Sequence, residues 1–270
     1  MIPAKKSPLV ERWFYAYNRR YLQRSFHTLH MLGSLEAFEP KDGIPLIVYF
    51  NHSSWWDLLL GIYLNDVLLR WDSYGVMDER QVMRYRFFSR LGVIGVDRTS
   101  LRGAKEFLNY AVELLAGRSR ALWIAPQGEI ASNLQRPIRF QSGLGHLAEA
   151  LGEFYLLGLA IEYEFWTEKQ PEAFVSFASV EHVKVEEGFD RRAFTRRCER
   201  SLENHIDRLA AVRAQRDPAL FRPLFVGRSG ISPVYDAVRS LSARLRGEEF
   251  RRAHGEVITP SWKTKPPPTA

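Results

Sequence analysis

His52 and Asp57 lie five residues apart in Asn51-His52-Ser53-Ser54-Trp55-Trp56-Asp57, directly after the apolar, β-prone run Pro45-Leu46-Ile47-Val48-Tyr49-Phe50. An imidazole at the exit of a strand is held at the rim of a sheet, where clefts form. It titrates near neutrality when unperturbed and so suits a general base. A nearby carboxylate would fix its tautomer and stabilise the imidazolium formed on proton abstraction. On one continuous helix, five positions would turn the two side chains apart by about 140°. The spacing therefore predicts a break, with His52 in the loop after the strand, Ser53 or Ser54 as helix N-cap, and Asp57 in the first turn folding back toward the ring. Ser54 and Asp57 also have the spacing of a capping box, which leaves a second reading in which Asp57 only decorates a helix start. His182 and Glu187 repeat the five-residue spacing outside such a context and receive no role.

The surrounding pattern alternates between strand-like and helix-like segments. Leu58 to Leu69 reads as a helix, Asp72 to Met77 as a short strand, and Gln81 to Ser89 as a basic helix leading into Leu91-Gly92-Val93-Ile94-Gly95-Val96-Asp97-Arg98. Thr99 or Ser100 caps a helix through Leu115, and Ala121 to Ala125 is a buried strand broken by Pro126 and Gly128. Helical pattern resumes from Phe140 to Leu151 after Ser142-Gly143, followed by strands at Tyr155 to Tyr163 and Ala173 to Val180. This alternation predicts a single α/β domain with a mostly parallel sheet flanked by helices. The expected organisation is an N-terminal helix over 1–36, the α/β domain over 37–190, a basic helical extension over 191–255 and a disordered tail over 256–270. Within the extension, Arg191 to Gln215 and Val234 to Arg251 read as amphipathic helices joined by an irregular connector from Pro218 to Pro233.

Composition narrows the class of function. With 270 residues and 46% hydrophobic content, the chain can bury a sizeable core. A net charge of +7 favours an anionic partner. Zinc-finger spacing, a single-strand-binding pattern and a long basic run are all missing, which argues against nucleic acid. The lone cysteine, Cys198, excludes an internal disulfide framework and fits a reducing compartment. It shares a helical stripe with Phe194, Leu202, Ile206 and Leu209, so it reads as a packed thiol. No apolar run approaches the 18 to 20 residues of a spanning helix. Nor does a signal-peptide pattern follow Lys5 and Lys6, and the expected location is the cytoplasmic side of a membrane, held peripherally.

The membrane enters through the N-terminus. Between Val10 and Leu35, the residues Trp13, Phe14, Tyr17, Tyr21, Leu22, Phe26, Leu29 and Leu32 recur at helical steps among Arg12, Arg19, Arg20 and Arg24. Such a basic, aromatic helix either lies in a bilayer interface or packs the same stripe against its own domain.

Four ordered blocks in this chain resemble those of the lysophospholipid and glycerolipid acyltransferases, the 1-acylglycerol-3-phosphate acyltransferase-like family. Asn51-His52 with Asp57 is similar to the Asn-His-four-residue-Asp block, and Gly92 to Arg98 resembles the segment ending in an acceptor-binding arginine. Ala125-Pro126-Gln127-Gly128-Glu129 stands where the family has Phe-Pro-Glu-Gly-Thr-Arg, and Leu157-Gly158-Leu159-Ala160-Ile161 matches the late apolar strand, with Gly158 in place of a proline. The resemblance implies acyl transfer from an acyl thioester of coenzyme A or acyl carrier protein, the co-substrate, with His52 as base and Asp57 orienting it. No bound cofactor, metal or covalent acyl-enzyme is implied.

Departures from the pattern concern the acceptor. The arginine of the third block is Ile130 here, the glutamate is Gln127, and the threonine is Glu129. A phosphate site of the family type thereby loses a cation and gains an anion. Arg136 and Arg139 on the following segment are candidate replacements beside Arg98, Gln127, Gly128 and Glu129. The acceptors that fit are then lysophosphatidate, if those arginines compensate, or a lipid with a glycosylated or other polar head and no phosphate. A third possibility is a non-catalytic relative that binds lipid through the same cleft. Arg98 itself could instead pair with Asp97 or a surface carboxylate, and Trp55 and Trp56 either line an acyl pocket or staple the first helix to the sheet.

Overall fold

The computed structural model describes residues 1–35, 40–166 and 168–227. Within them, strands β1 (Thr28–Leu32), β2 (Leu46–Phe50), β3 (Asp72–Asp78), β4 (Val93–Val96), β5 (Arg120–Ile124), β6 (Glu153–Glu164), β7 (Glu172–Phe177), β8 (Glu181–Lys184) and β9 (Phe221–Val226) form one sheet. Its order is β4-β3-β5-β2-β6-β7-β1-β9, with β8 also on β6. The run from β4 to β6 is parallel throughout, and antiparallel pairing enters where β7 and β8 join β6 and where β9 joins β1. This is the mostly parallel α/β sheet that the alternating pattern predicts.

Strand β2 lies between β5 and β6, and all five of its residues are buried, which is why it reads as a continuous apolar run. Its alternate side chains enter two cores. Ile47 and Tyr49 face helices α4 (Leu101–Leu115), α5 (Gly143–Leu151) and α6 (Arg191–Arg213), while Leu46, Val48 and Phe50 face α1 (Pro8–Ser25) and α2 (Asp57–Leu64). Each fully buried aliphatic side chain contributes about 1.5–3 kcal/mol, so this central strand gives firm support to the turn at its C-terminal end. Cys198 is packed in the α6 core as expected, and burial pushes its thiol up to about 12.

Helix boundaries differ from the sequence reading in informative ways. The N-terminal helix stops at Ser25, and Leu29 and Leu32 belong to strand β1, which gains backbone hydrogen bonds to both β7 and β9. Tertiary pairing therefore overrides a helical periodicity that continued past the helix end. The segment Leu58 to Leu69 is α2 followed by a π-helical turn from Asn65 to Leu69. The basic segment Gln81 to Ser89 divides into α3 (Glu79–Arg84) and a 3-10 turn from Arg86 to Leu91. The expected connector after Pro218 contains β9, whose Pro223 is tolerated because this strand lies at the sheet edge. The expected helix Val234 to Arg251 and the tail beyond it lie outside the described residues.

Helix α1 has two faces. Phe14, Asn18 and Leu22 are buried, and the Asn18 amide donates to the Leu59 carbonyl of α2 at 2.8 Å. Trp13 and Tyr17 are 62% and 47% exposed and stack on each other. The stripe thus anchors the helix to its own domain through one edge and leaves aromatic surface on the other.

Candidate active site

Because β2, β3, β4, β5 and β6 run in the same direction, their C-terminal ends open on one edge of the sheet. The exits carry Asn51-His52 after β2, Asp78 at the end of β3, Asp97-Arg98 after β4 and Ala125 to Glu129 after β5. Blocks separated by tens of residues in sequence converge there for that reason.

Asn51 ties the end of β2 to β6. Its Oδ1 accepts from the Ile161 N–H and its Nδ2 donates to the Ile161 carbonyl, each at 2.8 Å, and Nδ2 donates also to Asn133 Oδ1 at 2.7 Å. His52 is fixed through its backbone on both sides. Its N–H donates to Gln127 Oε1 at 2.8 Å, and its carbonyl accepts from Ala131 N–H at 2.8 Å. A backbone N–H can only donate, so the contact also settles the orientation of the Gln127 amide. The loop after β5 is thereby pinned to the turn after β2.

The ring of His52 meets the carboxylate of Asp57, with 2.8 Å between Nδ1 and Oδ2. Asp57 Oδ2 accepts further from the N–H groups of Ser53 and Ser54 at 2.8 and 2.9 Å, and Oδ1 accepts from the Tyr163 hydroxyl at 2.6 Å. The Asp57 side chain is fully buried, whereas that of His52 is 29% exposed. The Ser54 N–H bonds the carboxylate as in a capping box, but α2 starts at Asp57 with Trp56 at its N-cap and no side-chain cap, so the expected serine N-cap is not formed. One carboxylate both closes the turn that starts α2 and engages the imidazole. Holding Nδ1 as the donor places the unprotonated lone pair on Nε2, which has no protein partner among the described residues. That arrangement equips His52 Nε2 to take a proton from a group presented at the sheet edge.

The other candidates divide. Gly128 has φ +78, a left-handed conformation natural to glycine, and its turn is closed by Gly128 N–H to Ala125 carbonyl at 3.1 Å and Gln141 N–H to Pro126 carbonyl at 2.8 Å. Arg98 extends over this turn, its Nη1 being 3.8 Å from where a Gly128 Cβ would lie, while Nη2 and Nε donate to Asp78 Oδ2 at 3.2 and 3.4 Å. The guanidinium is thus paired with a surface carboxylate, although with Asp78 and not with neighbouring Asp97. Asp97 is occupied by Ser100 and Thr99, whose hydrogen bonds lower it to about 2. Glu129 and Ile130 are exposed.

Arg136 and Arg139 are not brought to His52. Arg136 bonds the carbonyls of Asn133 and Gln135 and the carboxylate of Asp207 on α6, while Arg139 is 73% exposed with its nearest carboxylate, Glu199, at 3.9 Å. Glu199 and Glu203 also accept from the backbone N–H groups of Phe140 and Ile138, which fastens this whole segment to α6. A cleft of about 870 Å³ between α5 and α6, lined by Arg139, His146, Arg191 and Arg196 among others, includes none of the residues around His52. Trp56 packs edge-on against Phe26 and beside Tyr21, a staple between α1 and the site turn, and Trp55 is 59% exposed. Tyr163 and Asn133 are the site residues that sequence reasoning missed. Tyr163 carries no spacing signal, because in an alternating strand it reads as one more aromatic; Asn133 lies in a turn-rich segment where asparagine is unremarkable.

A parallel sheet carrying a histidine–carboxylate pair at its C-terminal edge, with a glycine turn locked against it, has the layout of a candidate acid–base site. The family model described as Acyltransferase matches residues 20–162, more than half of the chain, and the chain belongs to that family, the lysophospholipid and glycerolipid acyltransferases. It is an acyltransferase enzyme. A search of curated proteins returned no match.

Proposed function

We propose that the enzyme moves a fatty acyl group from an acyl thioester, carried by coenzyme A or acyl carrier protein, to a hydroxyl of a lipid acceptor. His52 Nε2 takes the hydroxyl proton as the oxygen attacks the thioester carbonyl carbon. The new C–O ester bond forms, the C–S bond breaks, and the departing thiolate receives the proton from the imidazolium. Asp57 holds the Nδ1 proton in place and balances the transient positive charge. The reading rests on the 2.8 Å contact between His52 Nδ1 and Asp57 Oδ2, with Nε2 left open.

Three arginine placements favour an acceptor whose head carries no phosphate. Arg98 is already paired with Asp78, Arg136 is held on α6, Arg139 extends beside Glu199, and the remaining position of the family's grip is the apolar Ile130 beside an acidic Glu129. A dianionic head at this turn would meet one cation already neutralised and one unmatched carboxylate. A hydroxyl-rich head suits Glu129 as a hydrogen-bond acceptor. The acceptor is reached from a bilayer, on its cytoplasmic side, through the exposed Leu9, Trp13 and Tyr17 of α1 and the adjoining Tyr85 and Phe87. Among the described residues no helix is long and apolar enough to cross a membrane.

Thiol release from acyl-coenzyme A and from acyl carrier protein, measured with lysophosphatidate and with glycolipid acceptors, tests both readings. Transfer to glycolipid in preference to lysophosphatidate is expected, with loss of at least about a hundredfold in His52→Ala. A folded His52→Ala protein with full transfer refutes the base assignment. Preference for lysophosphatidate refutes the acceptor assignment, and lipid binding without any transfer refutes catalysis altogether.

A further inference from the structure

The two oxygens of Asp57 have unequal surroundings. Among the described residues, Oδ2 is shared by the His52 ring and two backbone amides, whereas Oδ1 has one donor, the Tyr163 hydroxyl. The amides and the ring all approach from the turn that Asp57 itself closes. Tyr163 alone approaches from the sheet, on β6, where its register with Ala173 of β7 holds the backbone. Its ring packs on Phe26 at 5.6 Å, and Phe26 packs edge-on against Trp56, the residue before Asp57, at 5.0 Å. The carboxylate plane is therefore gripped from two independent directions, and it cannot rotate without breaking a charge-assisted hydrogen bond on one side or the other.

Resting on the proposed role of His52 as base, we infer that Tyr163 is a positioning residue for this reaction: its hydroxyl locks the plane of the Asp57 carboxylate and shares that charge, so that the Nδ1 contact aims His52 Nε2 at the acceptor hydroxyl. It acts through Asp57 and transfers no proton itself. Burial and the neighbouring carboxylate raise the phenol well above the usual tyrosine range, so the group remains a donor throughout the working pH of an imidazole base. Titratable neighbours on this side are few among the described residues. His52 comes from the turn and Tyr163 from β6; Tyr21 of α1 lies beyond Trp56, and Glu129 on the loop after β5 is exposed. Glu162 and Glu164, which flank Tyr163 in β6, both pair with Arg213 of α6 on the opposite face.

The test uses the full chain and follows kcat, KM and their pH profiles. Tyr163→Phe preserves the ring and its packing but leaves Oδ1 without its donor. A misaligned base costs rate and not binding, so kcat falls about tenfold while both KM values stay within about twofold. A carboxylate that shares less of its charge holds the imidazolium more firmly, which moves the acid limb of kcat up by about 0.5 pH unit. Replacing Tyr163 by 3-fluorotyrosine, a stronger donor that occupies nearly the same space, moves that limb the opposite way and decides the matter if the Phe variant does not fold. Wild-type kcat and an unmoved pH profile in these variants, even with a lowered Tm, overturn the inference, since a purely structural tyrosine gives that result. His52→Ala, assayed alongside, separates the two levels: transfer surviving there removes the base assignment, whereas an inactive His52→Ala beside an unaltered Tyr163→Phe removes only the role of Tyr163.

Discussion

Asp57→Asn is the sharpest perturbation of the proposed chemistry, because it keeps shape and removes charge. The amide oxygen can still accept from Ser53 and Ser54, and the amide nitrogen can donate to Tyr163, so the turn that starts α2 retains its closure. What disappears is the anion 2.8 Å from His52 Nδ1. Two unit charges about 4 Å apart at an effective dielectric near 20 attract by about 4 kcal/mol. With each 1.36 kcal/mol worth a factor of ten in rate, loss of this stabilisation from the transition state lowers kcat by roughly a thousandfold. The cost to stability is smaller, about 1–3 kcal/mol, as charge-assisted hydrogen bonds become neutral ones. Initial rates of thiol release at saturating donor and acceptor measure the first quantity, and denaturant unfolding measures the second. A variant that folds with more than about a tenth of wild-type kcat refutes the electrostatic argument, whatever its stability.

Further outcomes are expected from the geometry. Asn51→Ala leaves the N–H of buried Ile161 without its side-chain acceptor, while the Ile161 carbonyl keeps the Asn133 amide, so the cost is about 1–3 kcal/mol and is read as a lowered denaturant midpoint. Gly128→Ala places a Cβ 3.2 Å from Gln141 Cγ at a φ of +78, costing about 1–3 kcal/mol and disturbing the turn that holds Gln127 against His52, so kcat and Tm fall together. The Cys198 thiol, raised from 9.0 to about 12 by burial, stays protonated and unreactive toward iodoacetamide in the native protein at pH 9 and labels on unfolding. Its contribution to stability is complete below pH 9 and is lost as pH rises from there toward 12, visible as a falling urea midpoint in that window. Trp13→Ala combined with Tyr17→Ala removes exposed aromatic surface while leaving the buried Phe14, Asn18 and Leu22 in place, so vesicle binding weakens by about tenfold or more with the fold intact.

Much of the site was legible in the sequence because its parts sit where apolar strands end. A run such as Leu46–Phe50 can only be a strand buried on both faces, and the polar residues directly after it must lie at the sheet edge. The same logic places Arg98 after β4 and the Pro126 to Glu129 turn after β5, and ordered blocks at parallel strand exits are bound to meet. The His52–Asp57 geometry also came from local reasoning, since five residues on one helix cannot bring two side chains together and a turn ahead of the helix can, although the N-cap is Trp56 and not a serine.

Other features depended on partners far away in the chain. A helical period running from Val10 past Ser25 does not reveal that Thr28–Leu32 pairs with β7 and β9, because those strands lie about 150 and 200 residues further on. Arg136 is near the third block in sequence, yet Asp207 on α6 takes its guanidinium. Tyr163 meets Asp57 across 106 positions. Sequence order and hydrophobic pattern determined which residues reach the C-terminal edge of the sheet, since these depend on strand exits and local turns. Tertiary structure alone decided which charges are free there and which are already taken, because the pairing of a side chain depends on distance in space, to which separation along the chain is no guide.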